Sequence, residues 1–113
     1  MSTDINIDGS IMTALLDGEI DHHNAPSIRE KIDSYAVNFH PQKLILDFRK
    51  VTFMDSSGIG LVMGRYKAVS AFNCTLEIHN LSLHAYKVMR LAGLDKIAIL
   101  TRRPKEDANN ETA

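Results

Sequence analysis

The stretch Asp55-Ser56-Ser57-Gly58-Ile59-Gly60 joins two segments of different period. Upstream, Leu44-Ile45-Leu46-Asp47-Phe48 is a short, strongly apolar run, of the kind found in strands covered on both faces. Downstream, Ile59, Val62, Met63, Tyr66 and Val69 recur at helical spacing and predict a helix from Ser57 to about Ser70. The quoted stretch is therefore a strand-to-helix turn. It carries two hydroxyls, a carboxylate and two glycines. Gly60 and Gly64 lie four apart on one side of the following helix, where each glycine costs about 1 kcal/mol relative to alanine. A close approach of the backbone to another surface would compensate. The sheet is the expected surface for Gly64, and either the sheet or a partner for Gly60.

Working outward towards the N-terminus, two apolar runs flank Asp8-Gly9, a hairpin signal because the turn requires positive φ. The predicted strands are Asp4–Asp8 and Ser10–Asp17, with Gly18-Glu19-Ile20-Asp21-His22-His23 as a loop. Asn24 is placed to cap a helix with Pro26 in its first turn. Ile28, Ile32, Tyr35, Ala36 and Phe39 form its apolar face, and His40-Pro41 ends it. The next strand covers Lys43 to Phe48. Arg49-Lys50 interrupts it before Val51–Met54 leads to the turn.

Towards the C-terminus, Thr75–Ile78 reads as a strand and Ser82 as the cap of a further helix. Gly93 falls where a left-handed C′ residue is expected, and Lys96–Leu100 as the last strand. Strands alternate with helices after the hairpin, which implies right-handed parallel crossovers. The fold class is α/β: one mixed sheet, an antiparallel opening hairpin followed by parallel strands, with helices packed on it. The domain is expected to span residues 1–104. Residues 105–113 are polar without an apolar period and are expected to form a mobile tail.

The 113 residues, 44% hydrophobic and 24% charged, suffice for a single core. Thirteen basic and 14 acidic residues are interspersed, so no electrostatic footprint for nucleic acid or an anionic membrane is present. No apolar run approaches the roughly 20 residues that span a bilayer. The opening Met1-Ser2-Thr3-Asp4 lacks the features of a signal peptide. The single cysteine, Cys74, suits a small core residue in a reducing cytoplasm.

Catalytic readings of the turn fail on chemistry. A nucleophile elbow needs Gly-x-Ser-x-Gly, and Met54-Asp55 precedes Ser56 here. None of His22, His23, His40, His79 and His84 has a spacing that makes it the base of a triad. Asp55 is a poor base for a serine hydroxyl. Asp21-His22-His23 has no later ligand at metal spacing. Gly58 and Gly60 lack both a third glycine and a Walker lysine. No enzyme activity, metal or cofactor is expected, although free amides at the helix start could receive an anion. Two roles for Ser56 stay open: a simple helix cap, or a phosphorylatable switch whose charge a partner would read.

Leu44–Phe48, Phe53-Met54-Asp55-Ser56-Ser57-Gly58-Ile59-Gly60 and Gly64-Arg65-Tyr66-Lys67 together resemble the STAS-domain anti-sigma-factor antagonists, most closely their sporulation type. Gly18-Glu19-Ile20-Asp21-His22-His23 resembles the same family's loop after the second strand. The resemblance implies helices mainly on one side of the sheet. It implies that the unphosphorylated protein binds an anti-sigma factor that is also a serine kinase, and so releases the sigma factor. Phosphorylation of Ser56 would end the complex, and a PP2C-type phosphatase would restore it. Asp21, His22, His23, Asp55, Ser57, Gly58, Ile59 and Gly60 would flank Ser56 in the partner-binding surface. The kinase would supply base and magnesium. The alternative is a non-switching STAS binding subunit or a nucleotide-binding module of a larger complex.

Overall fold

The computed structural model describes residues 2–104; the tail proposed for 105–113 lies outside the described residues. Strand β1 (Ser2–Asp8) pairs antiparallel with β2 (Ile11–Ile20) across a two-residue turn in which Gly9 takes φ +60°. Helix α1 (Ala25–Phe39) leads to β3 (Lys43–Met54), α2 (Ser57–Ser70) to β4 (Thr75–Leu81), and α3 (Leu83–Leu91) to β5 (Ile99–Arg102). The sheet order is β1-β2-β3-β4-β5, with every pair after the first parallel. Each parallel strand is added on the same side of its predecessor. Right-handed crossovers then place all three helices on one face.

The register explains the core. Met12, Leu44 and Leu76 are laterally aligned, as are Ala14, Leu46 and Ile78, and all six are buried on the helical face. They pack with Ile28, Ile32 and Ala36 of α1, Leu61, Val62 and Val69 of α2, and Ala85 and Met89 of α3. The expectation that Leu44–Phe48 is covered on both faces is corrected. Ile45 and Asp47 point to the helix-free face and are half-buried there, beside Glu77 and His79. Glu77 pairs on that face with Lys43 at 3.1 Å and His79 at 2.8 Å.

Strand boundaries differ from the sequence reading: β1 begins at Ser2 rather than Asp4, and β5 runs to Arg102 rather than Leu100. β2 continues through Gly18-Glu19-Ile20, where two register shifts and a φ of +111° at Gly18 keep it paired with β3. β3 is not broken at Arg49-Lys50, since Lys50 pairs with Asp17. β4 runs on past Ile78 to Leu81. The last strand begins at Ile99 rather than Lys96. Gly93, left-handed as expected (φ +83°), is followed by a 3-10 turn over Leu94–Lys96 that buries Leu94.

Two arginines that local sequence patterns do not single out hold the layers together. Arg65 of α2 is buried and lies 2.9 Å from Asp33 of α1, an ion pair that fastens the two helices. Burial lowers the guanidinium's pKa and the Asp33 charge opposes that effect. Arg103 donates to the carbonyls of Phe48 and Val51 in β3 and of Asn80 in β4, tying the carboxyl ends of both strands. Among the described residues no helix is long and apolar enough to cross a membrane.

Candidate functional site

The carboxyl ends of β2 and β3 are adjacent because Ile20 pairs with Met54. The two loops that leave them are joined directly: the Asp55 amide donates to the Ile20 carbonyl at 3.0 Å. In the first loop Asp21 Oδ1 accepts from the amides of His23 (3.0 Å) and Asn24 (2.8 Å). The Asp21 carbonyl accepts from Ala25. Asn24 is itself in helical conformation and makes no side-chain cap; its amide group reaches back to the Glu19 carbonyl. The expected N-cap is thus displaced by an aspartate three residues earlier, in an Asx turn.

The second loop repeats the device. Asp55 Oδ1 accepts from the Ser57 amide at 2.8 Å, and the Asp55 carbonyl accepts from the Gly58 amide at 3.0 Å. Ser56 has φ −61° and ψ −16° and caps nothing. Its side chain is exposed, and no hydrogen bond to its hydroxyl is found among the described residues. Ser57 differs: it is half-buried, and its side chain helps to lower the pKa of the Asp55 carboxyl. The simple capping role for Ser56 is therefore overturned. So is the notion of an open amide cradle at this turn, because Asp55 already occupies the Ser57 and Gly58 amides.

These bonds set the charge of the turn. The Ser57 amide and side chain, with smaller help from His22, hold the Asp55 carboxyl below its ordinary pKa. A carboxylate with a depressed folded-state pKa contributes stability above its unfolded value, near pH 4, and loses it as pH falls towards the folded value. The stability difference between wild type and Asp55→Ala should stay constant around neutrality and shrink below about pH 4. Paired thermal melts across pH check this; a difference that grows on acidification contradicts it.

Asp21, His22, His23, Asp55, Ser56 and Ser57 thus lie on two touching loops at one end of the sheet. Ile59 is half-buried and Gly60 is exposed at the start of α2. Gly58 stands apart. It is buried, and a Cβ there would collide with Cγ and Sδ of Met54. The missing side chain at Gly58 makes room for Met54.

Beside the loops a groove of about 420 Å³ runs between Ala25 and Arg29 of α1 and Ser57, Gly60, Gly64 and Arg65 of α2. A Cβ at Gly60 or Gly64 would meet nothing within 4 Å. Gly64 was expected to pack tightly on the sheet; it faces open space instead. Arg29 and Phe53 were missed in the sequence. Arg29 is one of the residues off the apolar face of α1. Phe53 is 52% exposed beside the turn, an apolar ring where the strand has left the core.

A family model for the STAS domain matches residues 2–108. The chain is 28% identical over 87 residues to an anti-sigma F factor antagonist of Paenibacillus polymyxa, covering 77% of this chain and 74% of the relative. It is 34% identical over 80 residues to an anti-sigma-B factor antagonist of Bacillus subtilis strain 168, covering 71% and 72%. Among solved structures it is similar to the anti-sigma factor antagonist SpoIIAA in its unphosphorylated form, with a TM-score of 0.78, 29% identity and coverage of 96% and 94%. It is also similar to the Bacillus cell fate determinant SpoIIAA in the phosphorylated form, with a TM-score of 0.72, 28% identity and coverage of 99% and 100%.

Proposed function

The chain belongs to the STAS-domain family, and from that membership and the free hydroxyl of Ser56 we propose that it is an anti-sigma-factor antagonist switched by phosphorylation. The unphosphorylated protein binds an anti-sigma factor that is also a serine kinase. Within that complex Ser56 Oγ attacks the γ-phosphorus of ATP, ADP leaves, and the hydroxyl proton passes to a base of the kinase. The phosphoprotein then dissociates, and a PP2C-type phosphatase hydrolyses the phosphate. The chain itself is a regulatory binding protein with no reaction of its own.

The observation that carries the reading is the division of labour between Asp55 and Ser56. Asp55 closes the helix start, which leaves the Ser56 hydroxyl exposed and unengaged. A phosphate there adds about −1.5 to −2 charges. The Ser57 amide is already bonded to the Asp55 carboxylate and the Gly58 amide to the Asp55 carbonyl, so neither can neutralise the phosphate without giving up that bond. The added charge therefore stays beside an ionised aspartate on the surface a partner must cover.

Incubation with the anti-sigma factor and Mg-ATP should add one phosphate, mapped to Ser56 by mass spectrometry and absent in Ser56→Ala. A phosphate on Ser57, or none, overturns the assignment. The groove beside the turn gives a second prediction. Gly60 and Gly64 leave the α2 backbone open to close approach. Replacing either by alanine should raise stability by up to about 1 kcal/mol while weakening partner binding about tenfold. Thermal melts and titration calorimetry separate the two effects. A variant that is more stable and binds unchanged removes the groove from the interface.

A further inference from the structure

Helix α3 has an outward stripe that the switch does not use. Tyr86, Lys87, Arg90 and Leu91 follow one another at helical spacing; Lys87, Arg90 and Leu91 are exposed, and Tyr86 is half-buried at the edge of the core. With Asp95 and Lys96 of the following 3-10 turn they line a groove of about 650 Å³. Leu91 is 90% exposed, the most exposed large apolar side chain among those described. The Arg90 guanidinium lies 5.7 Å from the centre of the Tyr86 ring, so an aromatic and a cation are held together before anything binds. Four cations, Lys87, Arg90, Lys96 and Arg102, line the groove with a single carboxylate, Asp95. The whole chain has a net charge of −1, so this is a local reversal of sign.

We propose that this groove is a second docking surface, for an acidic, leucine-bearing segment of a partner protein. Tyrosine and arginine are enriched at the centres of protein interfaces, and an exposed leucine supplies an apolar anchor between them. The cations on the rim favour carboxylates flanking the apolar positions, the pattern of an amphipathic segment laid into a groove. A concave surface walled by the 3-10 turn suits a peptide segment. A bilayer would need a protruding apolar face. The groove shares no residue with the turn around Ser56 or with the α1–α2 groove. The two surfaces are built from different residues, and this one does not depend on the switch.

The test is a titration of the full ¹⁵N-labelled chain with a synthetic helical peptide carrying leucines at i, i+3, i+4 and i+7 and glutamates between them. Amide shifts should concentrate from Tyr86 to Lys96 and spare Ser56–Gly64. The Kd should rise at least about tenfold in K87E/R90E and in L91S. All these side chains are exposed, so unchanged thermal melts certify the variants. Ser56→Asp should bind the peptide as wild type does. Four outcomes overturn the proposal. The first is no saturable binding at millimolar peptide. The second is equal affinity for the same peptide with lysines in place of glutamates. The third is binding to phosphatidylserine vesicles that K87E/R90E abolishes. The fourth is a tenfold gain of peptide affinity on removal of residues 105–113, which would give the groove to this chain's own Glu106-Asp107 segment.

Discussion

Ser56→Asp should bind the anti-sigma factor about 100-fold more weakly than wild type or worse, whereas Ser56→Ala should bind it as wild type does. The asymmetry follows from the turn. Among the described residues the Ser56 hydroxyl makes no hydrogen bond and caps no helix, so deleting it costs the fold almost nothing. A carboxylate in its place stands next to Asp55, which is held ionised by the Ser57 and His22 groups around it. A partner face fitted to a neutral hydroxyl would then desolvate two adjacent negative charges. Like-charge juxtaposition of that kind costs several kcal/mol, and each 1.4 kcal/mol is a factor of ten in Kd. Surface plasmon resonance with immobilised anti-sigma factor measures both variants. If Ser56→Ala lost affinity as Ser56→Asp does, the hydroxyl would be a contact or a structural element and not a switch.

Gly58→Ala should destabilise the domain by about 1–2 kcal/mol, against the usual direction of a glycine-to-alanine change in a helix. Helix propensity alone favours alanine by about 1 kcal/mol. Here the new methyl meets Cγ and Sδ of Met54, a half-buried residue at the end of β3 that pairs with Ile20. Overpacking of this kind costs about 1–3 kcal/mol, which outweighs the propensity gain. Cγ is close to the main chain, so Met54 cannot swing clear by moving its tip alone. The cause is separable. In a Met54→Ala background the same Gly58→Ala change should become stabilising, by up to about 1 kcal/mol. Urea denaturation of the four proteins of this cycle checks the change of sign. Destabilisation of equal size in both backgrounds would exclude Met54 as the cause.

Much of the architecture was legible because periods of 2 and 3.6 residues are local. The Asp8-Gly9 hairpin, the face formed by Ile28, Ile32 and Ala36, and the turn at Asp55–Gly60 could all be read from neighbours in the chain, although Tyr35 and Phe39, read on that same face, are exposed. What the sequence hid depended on backbone angles or on distant partners. Asp55, Ser56 and Ser57 are three candidate capping residues in a row. Which of them caps is decided by the helical φ and ψ of Ser56, which turn its hydroxyl outward and leave the amide of Ser57 to Asp55. The same substitution of an aspartate for the expected cap occurs at Asp21 and Asn24. A further aspartate, Asp47, accepts the amide two residues on in β3, at 3.0 Å. The two polar loops after β2 and β3 thus share, with Asp47 inside β3, one local motif whose members look interchangeable in sequence.

The remaining differences are tertiary. Ile97 and Ala98 are apolar and read as strand, yet the left-handed Gly93 commits the chain to a 3-10 turn and delays β5 to Ile99. Gly18-Glu19-Ile20 reads as loop, yet pairing with Val51–Met54 holds it in the sheet and buries Ile20. Arg65 looks like a surface charge beside Tyr66 and Lys67 until Asp33, 32 positions away in the chain, is seen against it. The surface beside Ser56 was legible as residue types. The openness over Gly60 and Gly64, and the exposure of Phe53, come from where the helices and strands end.

The most direct test of the switch uses one preparation of this protein and its anti-sigma factor. The Kd is measured by calorimetry before phosphorylation, after stoichiometric phosphorylation at Ser56, and again after treatment with a PP2C-type phosphatase. The account predicts a loss of about 100-fold or more on phosphorylation and full recovery on dephosphorylation. Equal affinity in all three states would contradict it and leave a STAS binding subunit that does not switch.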